Sequence, residues 1–225
     1  MRRLTRRTAA ALAVCIGIVV PAGAAFADGV EGNPVTATGP TTAVMVDNSA
    51  VSVNTTDNTS VFHLAFTIVH TSGAQTDVSN VALAVTNCNN CSSTAIAIQV
   101  DLVWPVPTVL TAQNVAVAVN SGCATCDALA AAFQYVIASN QRMTLTRLGR
   151  HEVAQIEHQL AGLQSSGLAP SDLTAAVDGL AAQLGNVLAT ELVPVRRGDD
   201  GRDGGDGHEP HVAMVRTDDG HGHGD

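Results

Sequence analysis

The chain has no lysine: its 11 basic residues are all arginine, and they face 20 acidic residues. Four of those arginines, Arg2, Arg3, Arg6 and Arg7, precede the first carboxylate, Asp28. From Asp28 onward, seven arginines oppose 20 carboxylates, a net charge of −13. Such a chain offers no basic footprint for phosphates, which excludes nucleic acid as an expected partner. Aromatic residues are also scarce, with four Phe, one Trp and one Tyr in 225 positions. Stacking platforms for sugars or bases are therefore few, and any core must be built from Ala, Val, Leu and Ile. No Ser-His-Asp set, phosphate-binding glycine loop or carboxylate pair stands out, so no residue is assigned a catalytic role. No apolar run after residue 27 approaches the roughly 20 residues that span a bilayer, so no membrane span is expected once the leader is removed.

What is present begins with a leader. The arginine-rich start, an apolar run from Ala9 to Val20 and the small-x-small sequence Ala25-Phe26-Ala27 have the layout of a cleavable secretory signal over residues 1–27. The apolar run, about 12 residues, is too short for a permanent anchor. The expected location is secreted, or otherwise extracytoplasmic. Residues 28–42 are rich in Gly, Pro and Thr and read as an extended leader into the domain. A single domain is expected over 43–193. Residues 194–225, dominated by Gly, Asp and His, read as a disordered acidic tail.

Within the domain, AVMVDNSAVSVN and VFHLAFTIVH flank a polar cluster, Thr55–Ser60, and read as a β-hairpin. Phe62, Leu64, Phe66 and Ile68 share one face of its second strand and His63 lies on the other. His70 falls by parity on the apolar face at the strand end. Neither histidine is expected to be a ligand.

An internal duplication follows. NVALAVTNCNNCSSTAIAIQVDLV starts at Asn80, and NVAVAVNSGCATCDALAAAFQYVI at Asn114. Both read N-V-A-x-A-V, then C-x-x-C, then an apolar run with Gln99 or Gln134 eight residues beyond the second cysteine. One residue is inserted near Gly122. Cys126, Ala130, Phe133 and Ile137 lie at i, i+4, i+7 and i+11, and Cys91, Ala95, Ile98 and Leu102 repeat that spacing. Ile96, Ile98, Val100 and Leu102 also alternate as a strand would, but alanine richness favours helix. Two further helices are expected, one carrying Leu148, Val153, Ile156, Leu160 and Leu163, and one opening after Pro170 with Ser171 and Asp172 as its cap. The expected fold class is α+β: an N-terminal β-hairpin, a duplicated helical Cys-containing unit and a C-terminal αα-hairpin.

The chemistry rests on two residue sets. Cys88, Cys91, Cys123 and Cys126 are expected to form disulfides, as an even number of exported cysteines does in an oxidising compartment. Three pairings are open, and bonding within each C-x-x-C is slightly favoured. Two alternatives are thiol-disulfide exchange through a C-x-x-C and a four-cysteine zinc site. In the tail, His208, His211, His221 and His223 form a candidate site for Zn²⁺, Ni²⁺ or Cu²⁺. Otherwise no cofactor is expected.

Taken together, the paired NVALAV…CNNC and NVAVAV…CATC units, the VNTTDNTSVFHLAFTIVH stretch and the closing helices resemble an exported actinobacterial domain with duplicated C-x-x-C motifs. Its members carry the label of peptide zinc metalloprotease proteins. The resemblance covers about residues 43–192 and implies a zinc protease, which requires H-E-x-x-H. Here the nearest string, His151-Glu152-Val153-Ala154-Gln155, has glutamine at the second ligand position. His158 lies roughly 10.5 Å further along a helix. Protease activity is therefore not expected. The reading favoured by the sequence is an exported, non-catalytic structural or binding module, held by disulfides, whose partner is an extracytoplasmic protein or peptide. The rivals are an extracytoplasmic thiol-disulfide oxidoreductase and a metal-binding protein acting through its tail.

Overall fold

The structure is a computed structural model that describes residues 43–195. Six long strands occupy most of that span: β1 (Val44–Asn54), β2 (Ser60–Thr71), β3 (Gln75–Thr86), β4 (Ser92–Val103), β5 (Val109–Asn120) and β6 (Asp127–Ala138). Strands adjacent in sequence do not pair. Instead β1 pairs with β3 and β3 with β5, while β2 pairs with β4 and β4 with β6, every pair parallel. The chain therefore winds through three coils, each giving one strand to a first sheet and one to a second. This is a short parallel β-solenoid.

The register shows the winding residue by residue. Val44 pairs with Thr76 and Ser60 with Ser92, so both sheets advance 32 residues from the first coil to the second. Gln75 then pairs with Val109, an advance of 34, and Ser92 with Asp127, an advance of 35. The extra residue enters at the turn between β5 and β6, where Gly122 takes φ +63°, a conformation that glycine adopts without steric cost.

Two buried interfaces hold the layers together. Between the sheets the inward residues are mostly alanine, including Ala50, Ala82, Ala84, Ala95, Ala97, Ala130 and Ala132. Small side chains let the sheets approach closely. Asn80 of β3 consequently reaches the backbone of the facing sheet, where its Nδ2 donates to the carbonyls of Ala97 and Phe133, each at 3.1 Å. The outer face of the second sheet carries larger groups. Ile96, Ile98, Phe133 and Tyr135 pack against Val153, Ile156, Leu160, Leu180 and Leu184 of two helices, α1 (Arg147–Gly162) and α2 (Pro170–Glu191). Tyr135 fixes the contact by donating its hydroxyl to the Ala181 carbonyl at 2.6 Å. Two short antiparallel strands, β7 (Met143–Leu145) and β8 (Leu192–Pro194), close the helical segment at its base.

This architecture corrects the expected fold class. The segment read as an N-terminal hairpin is the first coil: its turn carries the chain from one sheet to the other, and β1 and β2 each find a partner 32 residues downstream. The units read as helical after each C-x-x-C are strands β4 and β6. Both faces of these strands are covered, one by the first sheet and one by the helices, so they are buried almost end to end. A strand buried on both faces reads as a continuous apolar run and loses its alternation. Here the run is alanine-rich because of close sheet packing, which gives it the composition of a helix.

The two closing helices lie over the segments expected, with local differences. Thr146 caps α1 by accepting from the Gly149 N–H at 3.0 Å. Leu148 is exposed, and the buried stripe is Gly149, Val153, Ile156 and Leu160. Ala169 is the N-cap of α2 and makes no side-chain bond. Pro170 occupies its first turn with Asp172, so Ser171 and Asp172 are not the cap. No helix among the described residues is long and apolar enough to cross a membrane. The leader, residues 1–42, and the tail from 196 onward lie outside the described residues.

Candidate functional site

The turns after β3 and β5 carry the cysteines, and the solenoid stacks these turns. In the second coil the turn is Asn87-Cys88-Asn89-Asn90-Cys91, and in the third it is Ser121-Gly122-Cys123-Ala124-Thr125-Cys126. Cys88 and Cys91 lie at disulfide distance with Cα atoms 5.9 Å apart, and Cys123 and Cys126 do so with Cα atoms 6.0 Å apart. Stacking gathers all four sulfurs into one cluster, in which Cys88, Cys91 and Cys126 are buried and Cys123 is half-buried. Of the pairings open from sequence, the geometry is that of bonding within each motif. Sulfurs paired in this way are not four thiolates around one zinc.

The first coil has the same turn without cysteine. Asn58, Asn90 and Thr125 occupy one position in the three coils, and all three have positive φ, at 59°, 51° and 54°. Thr56 and Thr59 then stand where Cys88 and Cys91 stand. The Thr59 hydroxyl is 2.7 Å from the Thr56 carbonyl and 3.0 Å from Asn54 Oδ1, closing by hydrogen bonds the loop that the cysteines close in the later coils. Bonds between turns keep the stack in line. Asn58 N–H donates to the Asn89 carbonyl and Asn90 N–H to the Ala124 carbonyl, both at 3.0 Å. Asn90 Nδ2 reaches Asn58 Oδ1 at 2.9 Å, and Asn89 Oδ1 accepts the Ala124 N–H at 3.0 Å. The repeat is therefore threefold. Sequence reading finds only two copies because the cysteines mark them, although Asn48-Ser49-Ala50-Val51-Ser52-Val53 matches the N-x-A-x-x-V frame of the others.

No family model, no curated protein and no solved structure matches this chain. What it can do must be read from its own geometry.

Polar residues line the space between the sheets in columns. Asn48 Nδ2 donates to Asn80 Oδ1 and Asn80 Nδ2 to Asn114 Oδ1, each at 2.8 Å, forming an asparagine ladder along the solenoid axis. Gln134 Nε2 donates to Gln99 Oε1 at 3.2 Å, so the matched glutamines bond to each other across the repeat. Gln99 in turn donates to Asp101 Oδ1 at 3.1 Å. Asp101 is fully buried, its Oδ2 has no hydrogen-bond partner, and burial raises its pKa to about 7 against the opposing effect of the Gln99 bond.

The histidines are dispersed. His63 Nδ1 accepts the Val51 N–H at 3.2 Å, and His70 Nε2 lies 3.1 Å from the Met143 carbonyl, with its pKa lowered mainly by burial. His151 and His158 line a shallow depression on the exposed side of α1 with Gln155. Among the described residues, no group of three or more His, Cys, Asp or Glu side chains is arranged to hold a metal ion. The candidate metal residues His208, His211, His221 and His223 lie outside the described residues.

The outer face of the first sheet is apolar and exposed. Its columns read Ser49-Val81-Val115, Val51-Leu83-Val117 and Val53-Val85-Val119 in register. Val51, Val53, Val115, Val117 and Val119 are exposed. Among the described residues, helices cover the equivalent face of the second sheet but not this one.

Proposed function

We propose that this chain is an exported, non-catalytic module, a disulfide-braced solenoid that serves a structural or binding role toward an extracytoplasmic protein or peptide. The observation that carries this reading is the first-coil turn. Thr56-Asp57-Asn58-Thr59 adopts the conformation of the two C-x-x-C turns with no sulfur present. The cysteines therefore brace a turn that the fold already makes, which fits a structural role. Burial supports the same view, because a thiolate that exchanges with substrate must be exposed and electrostatically stabilised. Here three of the four sulfur-bearing residues are buried, and the turns carry asparagine, alanine and threonine with no cationic side chain. The leader supplies the export route and the oxidising compartment.

The test is to express the full chain with its leader in a secreting host, then map peptides under non-reducing conditions and assay insulin reduction. The expected result is a chain beginning at Asp28 with Cys88–Cys91 and Cys123–Cys126 bonds and no turnover. Retention in the cytoplasm with all five cysteines alkylatable, or catalytic reduction of insulin, would overturn the proposal.

A further inference from the structure

The four sulfurs have a second pairing within reach. Cys91 immediately precedes β4 and Cys126 immediately precedes β6, and the ladder between those strands begins at Ser92 and Asp127, an advance of 35 residues. The same advance relates Cys91 to Cys126 and Cys88 to Cys123. Hydrogen bonds between the turns hold it: Asn90 N–H donates to the Ala124 carbonyl at 3.0 Å, and Asp127 N–H donates to the Cys91 carbonyl at 3.1 Å. Each cysteine therefore stands in register with its counterpart in the neighbouring coil.

Register sets the distance. Neighbouring strands lie about 4.8 Å apart, inside the roughly 4.4–6.8 Å between Cα atoms that a disulfide spans. The Cα separations within the motifs, 5.9 and 6.0 Å, fall in the same range. The diagonals, Cys91 to Cys123 and Cys88 to Cys126, combine one step along the turn with one step across it and exceed the limit of about 7 Å. Side-chain direction agrees with this. Cys91 continues the inward parity of Ser93 and Ala95, and Cys126 that of Ala128 and Ala130. Of the three pairings that four cysteines allow, the fold accommodates two.

Access to the cluster is unequal. Cys88, Cys91 and Cys126 are buried, whereas Cys123 is half-buried. A thiolate arriving from solvent therefore meets the cluster at Cys123.

We propose that this cluster is a disulfide-exchange switch, opened at Cys123 by a small monothiol, that moves the chain from bonds within the turns to Cys91–Cys126 and Cys88–Cys123 bonds between them. The monothiol's thiolate attacks Cys123 Sγ, and Cys126 leaves as a thiolate. Cys126 then attacks Cys91 Sγ and releases Cys88. Cys88 attacks Cys123 Sγ and expels the monothiol. Two disulfides are present before and after, so no oxidant or reductant is consumed. The two states differ in what they restrain. Bonds within the motifs tie each turn to itself, whereas bonds between the turns clamp the second coil to the third and close loops of 35 residues instead of three, which restrains the unfolded chain more. The first-coil turn holds the same conformation without sulfur, so the fold does not depend on either pairing. The inference rests on the pairing within each motif described above and is independent of export. Its substrate is the chain's own second disulfide, so an absence of insulin reduction leaves it standing.

The test uses the full chain carrying Cys15→Ser, which leaves the four clustered cysteines. The oxidised chain is incubated in a glutathione thiol–disulfide buffer without denaturant, quenched with acid and cleaved before Asp101, which separates the two C-x-x-C motifs. A bond between turns then appears as a linked pair of peptides. The expected result is linked pairs after incubation and none before it. Bonds within the motifs alone after incubation, or linked pairs formed only in denaturant, overturn the proposal. Adding Cys88→Ser/Cys123→Ser isolates Cys91 and Cys126, which should close an intramolecular disulfide with the parent's circular dichroism spectrum and a thermal midpoint that rises on oxidation. If that variant does not fold, the linked peptides decide the matter alone. Cys88→Ser/Cys126→Ser leaves the diagonal pair, which should remain as glutathione adducts. A diagonal pair that bonds as readily as the pair in register overturns the proposal.

Discussion

Asn80 joins three coils through one side chain: its Oδ1 accepts from Asn48 Nδ2 at 2.8 Å while its Nδ2 donates to Asn114 Oδ1 at the same distance. The same amide also reaches the Ala97 and Phe133 carbonyls of the facing sheet. Replacing it with alanine removes the middle rung between Asn48 and Asn114 and the donor to the Ala97 and Phe133 carbonyls from a position that is fully buried between the sheets. Leaving buried polar groups unsatisfied costs about 1–3 kcal/mol each, and partial relaxation recovers some of that. We expect Asn80→Ala to lose on the order of 3 kcal/mol in urea denaturation. Asn48→Ala, at the end of the ladder, should lose less. Equal losses at the two positions would mean that the ladder is not cooperative.

The cysteine turns make a second, smaller prediction. A disulfide between residues three apart closes a very short loop, worth roughly 2 kcal/mol in the chain-entropy model. The first coil shows which residues can replace it. We expect the double substitution Cys88→Thr/Cys91→Thr to remain folded and to cost at most about 2 kcal/mol, and reduction of the parent chain to cost a similar amount per bond. Cys88→Ala alone should be worse behaved, because it leaves Cys91 as a lone thiol able to exchange with Cys123 or Cys126. Non-reducing electrophoresis and denaturant titration separate these cases.

Thr125 holds φ +54°, where a β-branched residue is disfavoured, and its counterparts Asn58 and Asn90 show the residue type that suits the position. Thr125→Asn should stabilise the chain by about 0.5–1 kcal/mol, read as a rise in denaturation midpoint at constant slope. Destabilisation would mean that the Thr125 hydroxyl, 2.7 Å from the Ala124 carbonyl, contributes more than the backbone strain costs.

These turns also show where the sequence was legible. The period-two alternation of Phe62, Leu64, Phe66 and Ile68 survives because β2 is an edge strand with only partial cover, and its parity reads correctly. In β4 and β6 the two covering layers remove that alternation, and alanine, chosen for sheet proximity, counts toward helix in any propensity argument. The Ile96–Leu102 alternation held the correct answer. The third repeat is hidden for a chemical reason: in the first coil a threonine-asparagine network replaces the cysteines that mark the other two. The paired glutamines bond to each other, since equal offsets in a parallel stack place like residues side by side. The four tail histidines lie outside the described residues.

Asp101 gives a pH dependence whose sign follows from its burial. Desolvation raises its pKa from 3.8 to about 7, so the folded chain favours the protonated acid. The groups facing it from the packed strands are Val69 and Val136 in register beside it, with Gln99 donating to its Oδ1; no charged side chain stands among them. A raised carboxyl pKa means that this contribution to stability is fully present below about pH 4. It declines as pH rises through about 7, where the buried carboxylate must ionise. We expect unfolding free energy at pH 8 to lie below that at pH 5 by on the order of 1–3 kcal/mol from this group. Asp101→Asn keeps an acceptor for Gln99 and cannot ionise. It should flatten the profile across that window and raise stability at pH 8. A variant whose stability still falls between pH 5 and pH 8 as steeply as the parent would show that the dependence comes from another group.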